Sequence, residues 1–247
     1  MNEILARITH AKQQLSHSAF LKALASNAIT TEEKLSFVPA MAFFVMGFRD
    51  ILSYLRYPHP KTPLEKSVNR HCDEDAGHWE WYVRDLQRLG YSFSAWGPDL
   101  VSFFDRLWSN DTQACRDLVY ATLHYAKRSD DPAVRLVIIE VMEATFGAFI
   151  DALHQSTSQS AHYSELQFFG LLHYQAERDH ELGSWIAGNH DSSFLKQITM
   201  TTQSEILGLE IVDELFRRFD KMFHQWHQQR ENFATHAEPR SLAHGAQ

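Results

Sequence analysis

The 247-residue chain carries a formal charge of −8 and is 44% apolar and 13% aromatic, with 17 Phe; this fills one sizeable domain and excludes intrinsic disorder except at the ends. An acidic balance with no basic patch excludes nucleic acid as a leading partner, because phosphate contacts need clustered Lys and Arg. The two cysteines, Cys72 and Cys115, lie far apart and give no disulfide framework.

Only 10 Gly and 7 Pro interrupt long stretches of helical periodicity, so the sequence reads as all-α, one domain of about seven to eight helices over residues 1–234 with a disordered tail at 235–247. The opening Met1-Asn2-Glu3-Ile4-Leu5-Ala6-Arg7 lacks the basic-then-apolar plan of a signal peptide. The longest nearly apolar run, Phe37 to Phe48, is too short to span a bilayer. A soluble cytoplasmic protein with no membrane partner is expected.

In chain order, the first helix is predicted over 2–26, with Ile4, Leu5, Ile8, Leu15 and Leu24 on its apolar face. Thr30 or Thr31 caps a second helix, Glu33 stands at the capping-box position, and Phe37, Met41, Phe44, Phe48, Ile51 and Leu55 point inward. A Pro-rich loop over 57–63 ends in a strong start signal, with Thr62 as cap, Pro63 in the first turn and Glu65 three residues after the cap. The third helix then runs to Leu89-Gly90. Two shorter helices are predicted between 97 and 127, broken near Ser109-Asn110-Asp111. Asp130 or Asp131 before Pro132 starts a helix that is apolar nearly all round and therefore central. After a polar loop at 154–162, another helix extends to about Ala187, and a last one spans 193–229.

Three of these helices carry metal-ligand chemistry. On the third, His71, Glu74, Asp75 and His78 recur at i, i+3, i+4 and i+7 and so share a face. That face interrupts the apolar stripe formed by Val68, Cys72, Trp79, Tyr82, Leu86 and Leu89. The central helix offers Glu140 and Glu143, and the one after it offers His173, Glu177 and His180. Buried ionisable groups without partners cost several kcal/mol each, and a cation is one of the few ways to offset that cost. Imidazole and carboxylate donors without thiolate suit iron or manganese, and so many candidates suit two ions in a helical bundle. Spacing leaves both Glu74 and Asp75 open. Glu143 is favoured over Glu140 because Gly147, one turn on, leaves room for substrate. Cys115 has no neighbouring acid or base and reads as a small buried hydrophobe.

The phrase His71-Cys72-Asp73-Glu74-Asp75-Ala76-Gly77-His78-Trp79, then Glu143-Ala144-Thr145-Phe146-Gly147, then His173-x3-Glu177-x2-His180 resembles the haem-oxygenase-like di-iron oxidases and oxygenases, relatives of the TenA thiaminases. Members commonly place a carboxylate seven, or three to four, residues before the first histidine. Here His71 holds the seventh position and both nearer ones are acidic. Members often have aspartate where this chain has Glu177. The resemblance implies a haem-oxygenase-like helical bundle holding two Fe(II) ions per chain, with dioxygen as co-substrate. His71, Glu74, Asp75, His78, Glu143, His173, Glu177 and His180 are its candidate ligands. The implied substrate is a small organic molecule derived from an amino acid or fatty acid. Its reaction would be N-oxygenation, desaturation, decarboxylation or C–C cleavage in a biosynthetic pathway, and an external electron donor and a homodimer are compatible with it. The same fold also serves metal-free TenA-like or PqqC-like enzymes and non-catalytic metal-binding or partner-binding proteins.

Overall fold

A computed structural model describes residues 1–91, 99–158, 163–180 and 193–236, with side chains described except at 177–180, 193–194 and 233–236. Among the described residues all regular structure is helical: α1 Asn2–Ser16, α2 Ala19–Ala25, α3 Thr31–Leu35, α4 Ala42–Leu55, α5 Pro63–Asp75, α6 His78–Arg88, α7 Leu100–Leu107, α8 Gln113–Arg128, α9 Pro132–Thr157, α10 Leu171–His180, α11 Ser193–Gln197 and α12 Thr202–His236. Twelve α-helices among the described residues replace the expected seven or eight because four predicted helices are each divided.

Each division has a local cause. Ser18 ends α1 and caps α2, its side chain accepting from the Leu21 N–H at 3.4 Å. Pro39 removes a donor from the next stretch, and a 3-10 turn, Val38–Met41, joins α3 to α4. Ala76-Gly77 parts α5 from α6, so His78 begins a new helix rather than continuing the one that holds His71. Near the end of the chain, Thr201 accepts from the Ser204 N–H at 3.1 Å and starts α12 at 202, leaving only α11 of the helix predicted from 193. The predicted stretch to Ala187, like most of the tail, lies outside the described residues, while α12 runs two residues past the expected tail boundary to His236.

Several start and stop signals act as read. Thr30 with Glu33 and Thr62 with Glu65 both form capping boxes, and Asp131 caps α9 by accepting from the Ala133 N–H at 2.9 Å. The third predicted helix stops in a Schellman motif: the Tyr91 N–H reaches the Leu86 carbonyl and Gly90 takes φ +72°, where a side chain would be strained.

The 26-residue α9 is buried from Ala133 to Ala148 except at Phe146, and packs against α1, α2, α5, α10 and α12. It is the centre of the fold. Helices α4, α8 and α12 close one side. Next to the second half of α9 lies a dry aromatic cluster in which Phe20 meets Phe37 edge-on at 4.9 Å, Phe37 meets Trp226 at 5.1 Å and Phe149 meets Phe37 at 6.1 Å. Cys115 belongs to this region, wholly buried, with its thiol 3.4 Å from the Ala40 carbonyl. The stretch Thr31–Leu55 is longer than the apolar run counted from sequence. It reaches a mean hydropathy of 1.6 over an 18-residue window and could cross a membrane by length and composition alone. In the fold it is divided at Pro39, and Leu35, Phe37, Val38, Met41, Ile51, Leu52 and Leu55 are buried as core.

Candidate metal centre

The site is assembled where α5, α6, α9 and the start of α10 meet. From α5, His71 and Asp75 stand one turn apart on the face turned to α9, with 1% and 3% of their surface exposed. His71 Nε2 lies 3.1 Å from Asp75 Oδ2 and 3.2 Å from Glu143 Oε1 of α9. These three side chains bring one nitrogen and two carboxylate oxygens within 4.8 Å of one another. Glu74, left open beside Asp75, is turned to the surface with its carboxylate 4.0 Å from Arg70; Asp75 is the acid that enters the interior. Glu143 rather than Glu140 meets His71; Glu140 is buried on the same helix but is not one of the three.

His78 and His173 complete the described part. Their rings meet edge-on at 4.4 Å, and His78 Nδ1 lies 3.8 Å from Asp75 Oδ1, beyond hydrogen-bonding range. His78 also stacks on Trp81 at 4.6 Å. Glu177 and His180 follow His173 in α10, four and seven residues on; their side chains lie outside the described residues.

Burial acts on His71 and His173 with opposite outcomes. Burial opposes a charge on His71, but Asp75 and Glu143 beside it together hold its pKa well above the ordinary value. Burial lowers the pKa of His173 and keeps the ring neutral. Its Nδ1 donates to the Phe168 carbonyl at 2.9 Å, and a carbonyl can only accept, so the lone pair of the neutral ring is on Nε2. Metal-binding histidines are commonly oriented in this way. Cys72, next to His71 in sequence, has its thiol pushed up to about 11 by burial and is no thiolate donor at neutral pH.

Asp85, which sequence reasoning missed, supports the turn that orients His173. This wholly buried acid of α6 accepts from the N–H groups of Gln167 (2.8 Å), Phe168 (2.8 Å) and Phe169 (3.0 Å). Burial pushes its carboxyl above the usual range while the three N–H groups draw it back. The Phe168 peptide therefore links Asp85 on one side to His173 Nδ1 on the other. Gly170 completes this turn, since a Cβ there would run into the carbonyls of Leu166 and Tyr163. The signal was available in sequence: Asp85 stands three residues after Tyr82 and seven after His78, on the helix face that is otherwise interior.

A cavity of about 40 Å³ lies against the cluster; Asp75, His78, Glu143 and His173 form its polar end and Phe44, Phe48, Phe146 and Phe168 much of its wall. The donors fit a divalent cation. Bonds of about 2.0–2.2 Å place neighbouring ligands roughly 3 Å apart on one ion, and both separations at His71 match. Mixed nitrogen and oxygen donors without sulfur suit iron or manganese.

No protein-family model matches the sequence, and no curated protein matches it.

Proposed function

We propose that this chain is a non-haem di-iron oxidase or oxygenase built on a haem-oxygenase-like helical bundle, acting with dioxygen on a small organic molecule. The observation that carries the reading is the convergence of His71, Asp75 and Glu143 in the dry interior between α5 and α9. His78 and His173 adjoin them, and Glu177 and His180 are assigned to the remaining ligand positions on sequence spacing alone.

Fe(II), when bound, supplies the electrons that activate dioxygen. The chain's own residues do the rest. Asp75 and Glu143 balance cationic charge that the interior would otherwise reject. The Phe168 carbonyl holds His173 as the tautomer that keeps Nε2 available. Phe146 packs on His173 at 4.7 Å and Phe168 at 4.8 Å, excluding water from that face of the ring. The adjoining cavity of about 40 Å³ leaves a small apolar-walled space beside the donors.

Anaerobic titration with Fe(II), read by metal analysis after desalting, tests the reading. Two ions per chain are expected in the parent, fewer in Glu143→Gln and His173→Ala, with oxygen consumption raised by a suitable substrate. A folded parent that retains no iron overturns it. Tight iron binding without oxygen consumption under any candidate substrate reduces the protein to a metal carrier.

A further inference from the structure

We infer that a second cavity, in the aromatic core behind Phe44 and Phe146, is a binding site for a small apolar gas, and that it holds dioxygen in reserve beside the ligand cluster. The supply role rests on the reading of that cluster as an iron site; the gas site itself does not.

This cavity measures about 10 Å³ and is walled by Met41, Thr145, Phe149, Met222 and Trp226 among others. That is room for about one molecule of water's size. Size alone would admit water, but the chemistry of the wall does not support it. No polar atom of the described residues opens onto the cavity. The Thr145 hydroxyl is engaged within its own helix, 2.9 Å from the carbonyls of Val141 and Met142. A buried water needs two to four polar partners, so a cavity of this kind favours an apolar guest.

Its position ties it to the cluster. Phe44 and Phe146 line both this cavity and the one of about 40 Å³ that meets Asp75, His78, Glu143 and His173. Phe146 packs on His173 at 4.7 Å and on Phe149 at 5.4 Å. Phe44 packs on Phe48 at 6.3 Å and on Trp226 at 6.4 Å. Each of the two rings therefore has one neighbour in the wall of either cavity, and together they form the partition. A gas molecule that passes them comes to the donors from the apolar side. Dioxygen matches the second cavity in both size and polarity, whereas a charged or larger organic solute matches neither.

The test uses the full chain free of metal. Crystals pressurised with krypton, an inert apolar gas, should show an anomalous peak between Thr145, Phe149 and Trp226. In solution, dioxygen should quench the fluorescence of Trp226, taken as the difference between the parent and Trp226→Phe. Iodide, a charged quencher that the interior rejects, should not. Thr145→Ile adds a methyl group to the wall and should abolish the krypton peak and the dioxygen quenching, while Thr145→Val, which adds no length, should keep both. A parent without the krypton peak, an ordered water in its place, or a peak that survives in folded Thr145→Ile overturns the inference. If Thr145→Ile does not fold, the parent's krypton peak decides the site. On iron-loaded samples, Fe(II) should be oxidised more slowly in Thr145→Ile than in the parent at limiting dioxygen and equally fast at saturation. Equal rates at limiting dioxygen overturn the supply role. Failure of the parent to hold iron sinks the metal reading, while the metal-free measurements still decide the gas site.

Discussion

Two buried regions share α9, a turn or two apart. Around Phe149 the interior is aromatic, with Phe20, Phe37, Phe223 and Trp226 in mutual ring contact. Around Glu143 it is ionisable, with His71 and Asp75 as close neighbours. Both regions are buried, and burial has opposite consequences in them. In the aromatic region it supplies stability and keeps Cys115 neutral, its thiol pushed up to about 12. In the ionisable region it opposes the charges present, and the neighbouring Asp75 and Glu143 carboxylates raise the pKa of His71 in spite of it. Burial of the second kind contributes little to folding stability by itself.

The sharpest way to test this contrast is to truncate each region in turn. Trp226→Ala removes the ring that touches Phe20, Phe37 and Phe223 and is expected to lower folding stability by about 3–5 kcal/mol, measured by urea denaturation. A loss below about 1 kcal/mol would mean that the aromatic cluster is not the chief source of stability.

Asp85→Asn comes next, with an expected loss of about 2–3 kcal/mol, because the amide offers one acceptor oxygen where the carboxylate met three N–H groups. Hydrogen exchange at the amides of 167–169 should accelerate and iron retention should fall, since the same turn orients His173. Unchanged exchange there would detach Asp85 from the site.

Glu143→Gln is expected to shift the stability of the metal-free protein by no more than about 1 kcal/mol in either direction, because one of two buried carboxylates is neutralised while His71 stays paired with Asp75 at 3.1 Å. Iron binding should be lost in the same variant. If stability instead collapsed while iron binding persisted, the two regions would not differ in the way described.

Much of this contrast was legible in the sequence, for identifiable reasons. The apolar girth of α9 and the capping boxes at Thr30 and Thr62 are local signals, and the structure follows them. Ligand-type residues at helical spacing pointed to α5, α9 and α10. The breaks at Ser18 and Ala76-Gly77 were hidden because apolar periodicity continues across them, and a short change of direction leaves it intact. Glu74 and Asp75 are chemically alike and adjacent; only the packing of α5 on α9 separates the exposed one from the buried one. The place of Asp85 on the inner face of α6 was visible in the sequence, but its partners are backbone N–H groups some eighty residues later, and a main-chain partner leaves no mark in residue type.

The smallest expected effect is an absence of reaction. Burial beside Trp226 pushes the Cys115 thiol up to about 12, against roughly 8.5 for a thiol in an unfolded chain. Folded protein at pH 8 should therefore leave Cys115 unmodified by iodoacetamide, and denatured protein should be alkylated, as peptide mass spectrometry would show. The sign of the linkage follows. A group with a raised folded pKa contributes stability that is fully present below its unfolded pKa and is lost as pH rises toward the folded value. Between about pH 8.5 and 12 Cys115 should thus remove up to about 1.4 kcal/mol per pH unit, and Cys115→Ala should flatten that slope. Rapid alkylation of the folded protein would show that water reaches this part of the core, and the distinction between a region that neutralises what it buries and one that holds charge would fail at its aromatic end.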